Sequence, residues 1–112
     1  MGLPGGKASA GFGPQFVLQI GGRNMVSEDV IVKNKTGIHA RPAAEFVQTA
    51  GRYSSNITIR KDAKSVNAKS LLNILALGIS QNSRVTISAE GEDAAEAVKA
   101  LVRLIEAGFG EV

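Results

Sequence analysis

NKTGIHARPAAEFV, residues 34–47, holds the only histidine of the chain, His39, and determines where the first helix can begin. Proline has no N–H and crowds the preceding turn, so a helix tolerates Pro42 only within its first turn. The helix therefore starts near Ala40 or Arg41, which leaves His39 at the N-cap or just before it. Ala43, Phe46, Val47 and Ala50 then recur at i, i+3, i+4 and i+7, one apolar face of a helix over 40–50 that Gly51 ends.

Outward from this helix the periods stay readable. Residues 26–33 alternate around Val30 and Val32 as a strand. NITIRK (56–61) and RVTISAE (84–90) alternate with period two, turning Ile57 and Ile59, or Val85, Ile87 and Ala89, toward a core. Asp62 and Ala63 turn the chain into a short strand over 64–67. LLNILAL (71–77) reads as a short helix with Ser70 as its N-cap and Gly78 at its end. The last helix opens with a capping box, Asp93 and Glu96, and buries Ala94, Val98, Leu101, Val102 and Ile105. The order βαββαβα, without repeated βαβ units, predicts an α+β fold: a mostly antiparallel four-stranded sheet with three helices on one face. The other face carries Thr58, Arg60, Thr86 and Ser88 and can stay wet.

The chain has 112 residues, 44 % hydrophobic, with no cysteine and no tryptophan, so one aliphatic core is expected, and no disulfide. With one histidine and no thiolate, no metal or other cofactor is expected. Residues 1–24 are set apart: seven of the thirteen glycines lie between Gly2 and Gly22. Such a segment loses much backbone entropy on ordering and has little to bury. It reads as a disordered or non-native extension, although FVLQI (16–20) could add a strand at an edge. The compact unit then covers 25–112. Glycine and proline interrupt any long apolar run in the leader, so it does not read as a secretory signal, and no membrane insertion is expected.

The pI near 9.5 suggests nucleic acid, but the charges are segregated. Residues 33–84 balance to +7 and residues 85–112 to −4. This suits an anion such as phosphate, or docking onto acidic surfaces, and makes no continuous basic stripe. No aromatic residue falls on a predicted strand of the compact unit, so stacking platforms for single strands are missing.

A histidine at a helix N-terminus has a particular chemistry. Unpaired backbone N–H groups and the partial positive charge of the helix end cradle an anion. Arg41 adds a guanidinium suited to phosphate oxygens. A neutral imidazole has a lone pair that can attack a phosphoryl donor, which makes His39 a candidate phosphoryl acceptor. Each residue also has a plainer role: His39 as a surface N-cap, Arg41 as a solvated helix charge, Pro42 as helix initiator. Two other classes fit parts of the pattern, an α+β nucleic-acid-binding module and a small acyl-phosphate hydrolase. For the hydrolase, one histidine with Arg41 is a sparse set.

GIHARPAAEFV followed by KSLLNILALGI resembles the HPr family, the histidine-containing phosphocarriers of the bacterial sugar phosphotransferase system, over residues 26–109. The resemblance implies an open-faced β-sandwich and a cytoplasmic, monomeric carrier that is not itself an enzyme. It implies that His39 accepts a phosphoryl group from enzyme I, derived from phosphoenolpyruvate, and passes it to enzyme IIA. A nitrogen-related regulatory branch would use the same chemistry. Arg41 would assist the phosphohistidine, with Ala40 and Pro42 in support. Leu71 and Leu72 would meet both partners with Ala40, Ala44 and Val47, and Arg41, Arg52 and Lys69 would supply the steering charge. Ser70 matches the family's regulatory serine, the target of an HPr kinase in some bacteria. Members that use it tend to carry methionines where this helix has Leu71, Leu72, Ile74 and Leu75.

Overall fold

The computed structural model describes residues 15–20 and 23–111. Five strands, β1 (Gln15–Ile20), β2 (Arg23–Ile31), β3 (Asn56–Lys61), β4 (Lys64–Asn67) and β5 (Arg84–Gly91), form one antiparallel sheet ordered β1-β2-β5-β3-β4. Three helices, α1 (Ala40–Ala50), α2 (Leu71–Ala76) and α3 (Ala94–Glu106), connect or follow the strands, and a 3-10 turn follows α3 at Gly108–Gly110. The expected four-stranded antiparallel sheet with three helices is therefore present, with one strand more.

That extra strand corrects the reading of the leader. Residues 15–20 pair with β2 from Gln15↔Glu28 to Ile20↔Arg23. An uncovered β2 edge would present a row of unpaired N–H and C=O groups, and FVLQI satisfies part of it. Gly21-Gly22 between the two strands is a two-residue hairpin signal that the glycine content of the leader had masked. The rest of the expected extension, residues 1–14, lies outside the described residues.

The core lies between the sheet and the helices. Val26, Val30, Ile57, Ile59, Val85, Ile87 and Ala89 face Ala43, Phe46, Ala50, Ala94, Ala97, Val98, Leu101, Val102 and Ile105, all buried. On the opposite face Ser27 Oγ lies 2.7 Å from Ser88 Oγ, and Thr86 Oγ1 donates to Asp29 Oδ1 at 2.7 Å. Both are cross-strand pairs in the β2–β5 register, so this face is held by hydroxyls, as its polar pattern predicts.

One residue breaks the alternation. Glu28 lies on the core face between Val26 and Val30 and is 9 % exposed. Burial, then the nearby Glu106, pushes its carboxyl above the ordinary value, while Lys99 partly offsets them. An acid whose folded value is raised adds stability below its unfolded value and loses it as pH rises through the folded one. Glu28→Gln is therefore expected to stabilise the fold at neutral pH by on the order of 0.5–1 kcal/mol, the scale of one neutral hydrogen bond. In urea melts at a series of pH values, the gain should shrink as pH falls toward 4.5.

The capping box expected at α3 is absent. Asp93 is the N-cap, but its side chain caps nothing in its own helix. Its carboxylate instead accepts from the backbone N–H groups of Ser54 and Ser55, at 2.8 and 3.0 Å, and from the Ser55 hydroxyl. Several converging donors outcompete one helical N–H, and the result ties α3 to the entry of β3. The Ser55 hydroxyl, then the Ser54 N–H, holds the Asp93 carboxyl below its ordinary value. This support is present above the unfolded value and is lost as pH falls through the lowered one. Ser55 is 2 % exposed. Asp93→Ala leaves its hydroxyl without that partner and should cost about 1–3 kcal/mol, read as a lower urea midpoint.

Gly51 ends α1 without a left-handed turn, at φ −67°. The last turn tightens instead, with Arg52 N–H bonded to Thr49 O at 3.1 Å and Tyr53 N–H to Ala50 O at 3.2 Å.

Candidate functional site

The structure places His39 as the N-cap of α1, with an extended backbone and with Pro42 buried in the first turn. The Ala43 N–H bonds His39 O at 2.8 Å, so the first helical hydrogen bond closes on the histidine itself. Proline carries no N–H, and the N–H groups of Ala40 and Arg41 have no intrahelical acceptor. The imidazole makes no capping hydrogen bond and is 47 % exposed. Ala40 and Arg41 are exposed beside it.

The loop before His39 is pinned from two sides. Gly37 has φ +67°, and a β-carbon there would run into the carbonyl of Ile79 and the backbone of Ser80. Ile38 N–H donates to that Ile79 carbonyl at 3.0 Å. Asn34, 1 % exposed, donates from Nδ2 to Gly37 O at 2.6 Å and to Glu111 Oε1 at 3.1 Å. Thr36 Oγ1 also donates to Glu111 Oε1, at 3.0 Å. The other carboxylate oxygen of Glu111 lies 3.5 Å from His39 Nε2. The Asn34 hydrogen bond, then the Thr36 hydroxyl and the charges of His39 and Arg41, outweigh desolvation and hold the Glu111 carboxyl below its ordinary value. It is thus ionised at neutral pH, and the tether is lost as pH falls through the lowered value.

Asn34, Thr36 and Glu111 were not singled out from the sequence. The only signal is GFG at 108–110, a glycine-flanked turn after the last helix. Nothing in the local pattern says that the turn brings residue 111 back to residue 39.

The second motif forms α2. Ser70 caps it, its hydroxyl accepting from Asn73 N–H at 3.3 Å. Of the helix, Ile74 alone is buried, while Leu71 is 39 %, Leu72 77 % and Leu75 37 % exposed. Leu71 and Leu72, the pair that the resemblance assigns to partner contact, are thus both exposed. α2 packs against α1, where Ala44 and Val47 are half-buried. Arg52 is exposed, whereas Lys69 is half-buried with Nζ donating to Tyr53 O at 2.7 Å, which ties down one of the three steering charges.

Residues 26–107 match the family model described as the PTS HPr component phosphorylation site. The chain belongs to the HPr family. The HPr-like protein Crh of Halalkalibacterium halodurans is 51 % identical over 82 residues, which are 73 % of this chain and 98 % of that protein. The crystal structure of HPr-C-His from Thermoanaerobacter tengcongensis is 58 % identical and superposes with a TM-score of 0.75, covering 77 % of this chain and 97 % of that one. Bacillus subtilis Crh, a catabolite-repression protein solved as a dimer with a swapped domain, is 44 % identical with a TM-score of 0.61, over 70 % and 91 % of the two chains. The fold is that of the HPr-family phosphocarriers, and β1 lies outside the matched residues. No described helix is long and apolar enough to cross a membrane.

Proposed function

We propose that this chain is a cytoplasmic phosphocarrier of the phosphotransferase system. His39 accepts a phosphoryl group from enzyme I, which drew it from phosphoenolpyruvate, and passes it to a histidine of an enzyme IIA during sugar uptake. The observation that carries this reading is the half-exposed imidazole at the N-cap of α1, which caps nothing in its own helix, beside Arg41 and the N–H groups of Ala40 and Arg41. A transferred dianion would meet a helix N-terminus and a guanidinium without reorganisation, the arrangement that stabilises charge as it develops. Pro42 starts the helix and keeps a competing N–H out of that turn. The exposed Leu71 and Leu72, with Ala40, Ala44 and Val47, form the apolar contact for both partners. Arg41 and Arg52 at its border favour brief, fast encounters of a monomer.

The experiment is mass spectrometry of the full chain after incubation with enzyme I and phosphoenolpyruvate. One acid-labile phosphoryl group per chain is expected, and an unmodified chain would refute the reading.

A second reading has its own observation. Curated relatives of this chain are HPr-like Crh proteins, and one is described by catabolite repression. In that reading Ser70 is the modified residue, an HPr kinase the partner and a dimer the working state. A phosphate on the N-cap hydroxyl of α2 would sit well on the helix dipole. Phosphoserine survives acid and phosphohistidine does not, so the same spectra separate the two.

A further inference from the structure

The segment after α3 is bent into an unusual path to reach the histidine. Gly108, Phe109 and Gly110 all have positive φ, of 65°, 55° and 76°. For a bulky side chain this is a strained backbone, which persists only where the surroundings over-determine it. Phe109 is 4 % exposed and anchors the bend in the core, and Glu111 N–H bonds Gly108 O at 2.8 Å. The bend delivers one carboxylate. Its Oε1 is taken by Asn34 and Thr36, which leaves Oε2 facing His39 Nε2 at 3.5 Å, with 21 % of the Glu111 side chain exposed. The groups that aim this carboxylate sit in the same loop that carries His39, so the two move together.

We propose that Glu111 is a positioning residue for His39, its carboxylate holding the Nε2–H of the neutral ring so that the lone pair stays on Nδ1. This rests on the reading of His39 as a phosphoryl acceptor. The Nδ1 lone pair attacks phosphorus and the N–P bond forms. The bond from phosphorus to the donor atom of enzyme I breaks, and its electron pair leaves with enzyme I. The proton stays on Nε2, and the positive charge the ring gains faces Glu111. On transfer to the acceptor the N–P pair returns to Nδ1. At 3.5 Å the contact is longer than a hydrogen bond, as such pairs often are before a partner closes the site.

Glu111→Gln tests this in the full chain. Its carbonyl can still accept from Asn34 and Thr36, so the amide nitrogen turns to His39 and offers a donor where the wild type offers an acceptor. The ¹⁵N shifts of the neutral imidazole should report an Nε2–H tautomer in the wild type and a move toward Nδ1–H in the variant. Phosphorylation by enzyme I should slow about tenfold, well short of the roughly 10⁴-fold loss for a buried orienting carboxylate, because Glu111 is partly open to water. If the wild type is phosphorylated and the variant matches it in tautomer and rate, this proposal alone falls. A faster variant would make the carboxylate an obstruction to the incoming anion and overturn it too. A wild type that takes no phosphoryl group sinks the acceptor reading and this one with it.

Discussion

His39→Gln is expected to remove phosphoryl acceptance from phosphoenolpyruvate and enzyme I completely while leaving the fold intact. The amide of glutamine has its nitrogen lone pair delocalised into the carbonyl, so it offers hydrogen bonds of similar reach but no nucleophile. Little stability is at stake. The ring is 47 % exposed, caps nothing, and lies 3.5 Å from Glu111. Stability should therefore stay within about 0.5 kcal/mol of the wild type, as for most surface substitutions. The measurement pairs a thermal melt with mass spectrometry of the phosphorylated chain. An acid-labile phosphoryl group persisting in His39→Gln would move the acceptor elsewhere. Any acid-stable phosphate on Ser70 should be unaffected, because the N-cap of α2 does not involve His39.

Gly37→Ala should produce the largest loss of stability. A left-handed backbone costs an L-residue about 1–2 kcal/mol by itself. The added methyl also meets the Ile79 carbonyl, and backing away from it strains the Ile38 N–H···O Ile79 bond. Together about 2–4 kcal/mol should be lost. For a domain of this size that corresponds to a fall of roughly 10 °C or more in the thermal midpoint. The loss should also reach the site, because the Gly37 carbonyl accepts from Asn34, which holds Glu111. Phosphorylation should slow even at temperatures where the variant is fully folded. A variant with wild-type stability would mean that the loop can shift away from Ile79 at little cost.

How far the sequence could be read depended on whether the deciding interaction was local. The position of His39 follows from Pro42 three residues on, because one ring without an N–H restricts where α1 can begin. The strands β3 and β5 follow from strict alternation, and the Ser70 cap from a hydroxyl just ahead of a short apolar run. The misreadings share a different cause. Asp93 and Glu96 have the spacing of a capping box, but the donors that capture Asp93 come from Ser54 and Ser55, nearly forty residues earlier. Glu111 meets Asn34 and Thr36 across almost the whole domain. In the leader, glycine entropy was weighed as a local cost, while the open β2 edge that offsets it over 15–20 exists only after the sheet has formed.

The hydroxyl-lined face of the sheet has a practical corollary. Thr58 is half-buried there, on the side away from α1 and from α2 with its leucines. A fluorescent dye or a surface linker attached at that position would leave the end of the molecule that carries His39 unobstructed, and would allow immobilisation with that end outward.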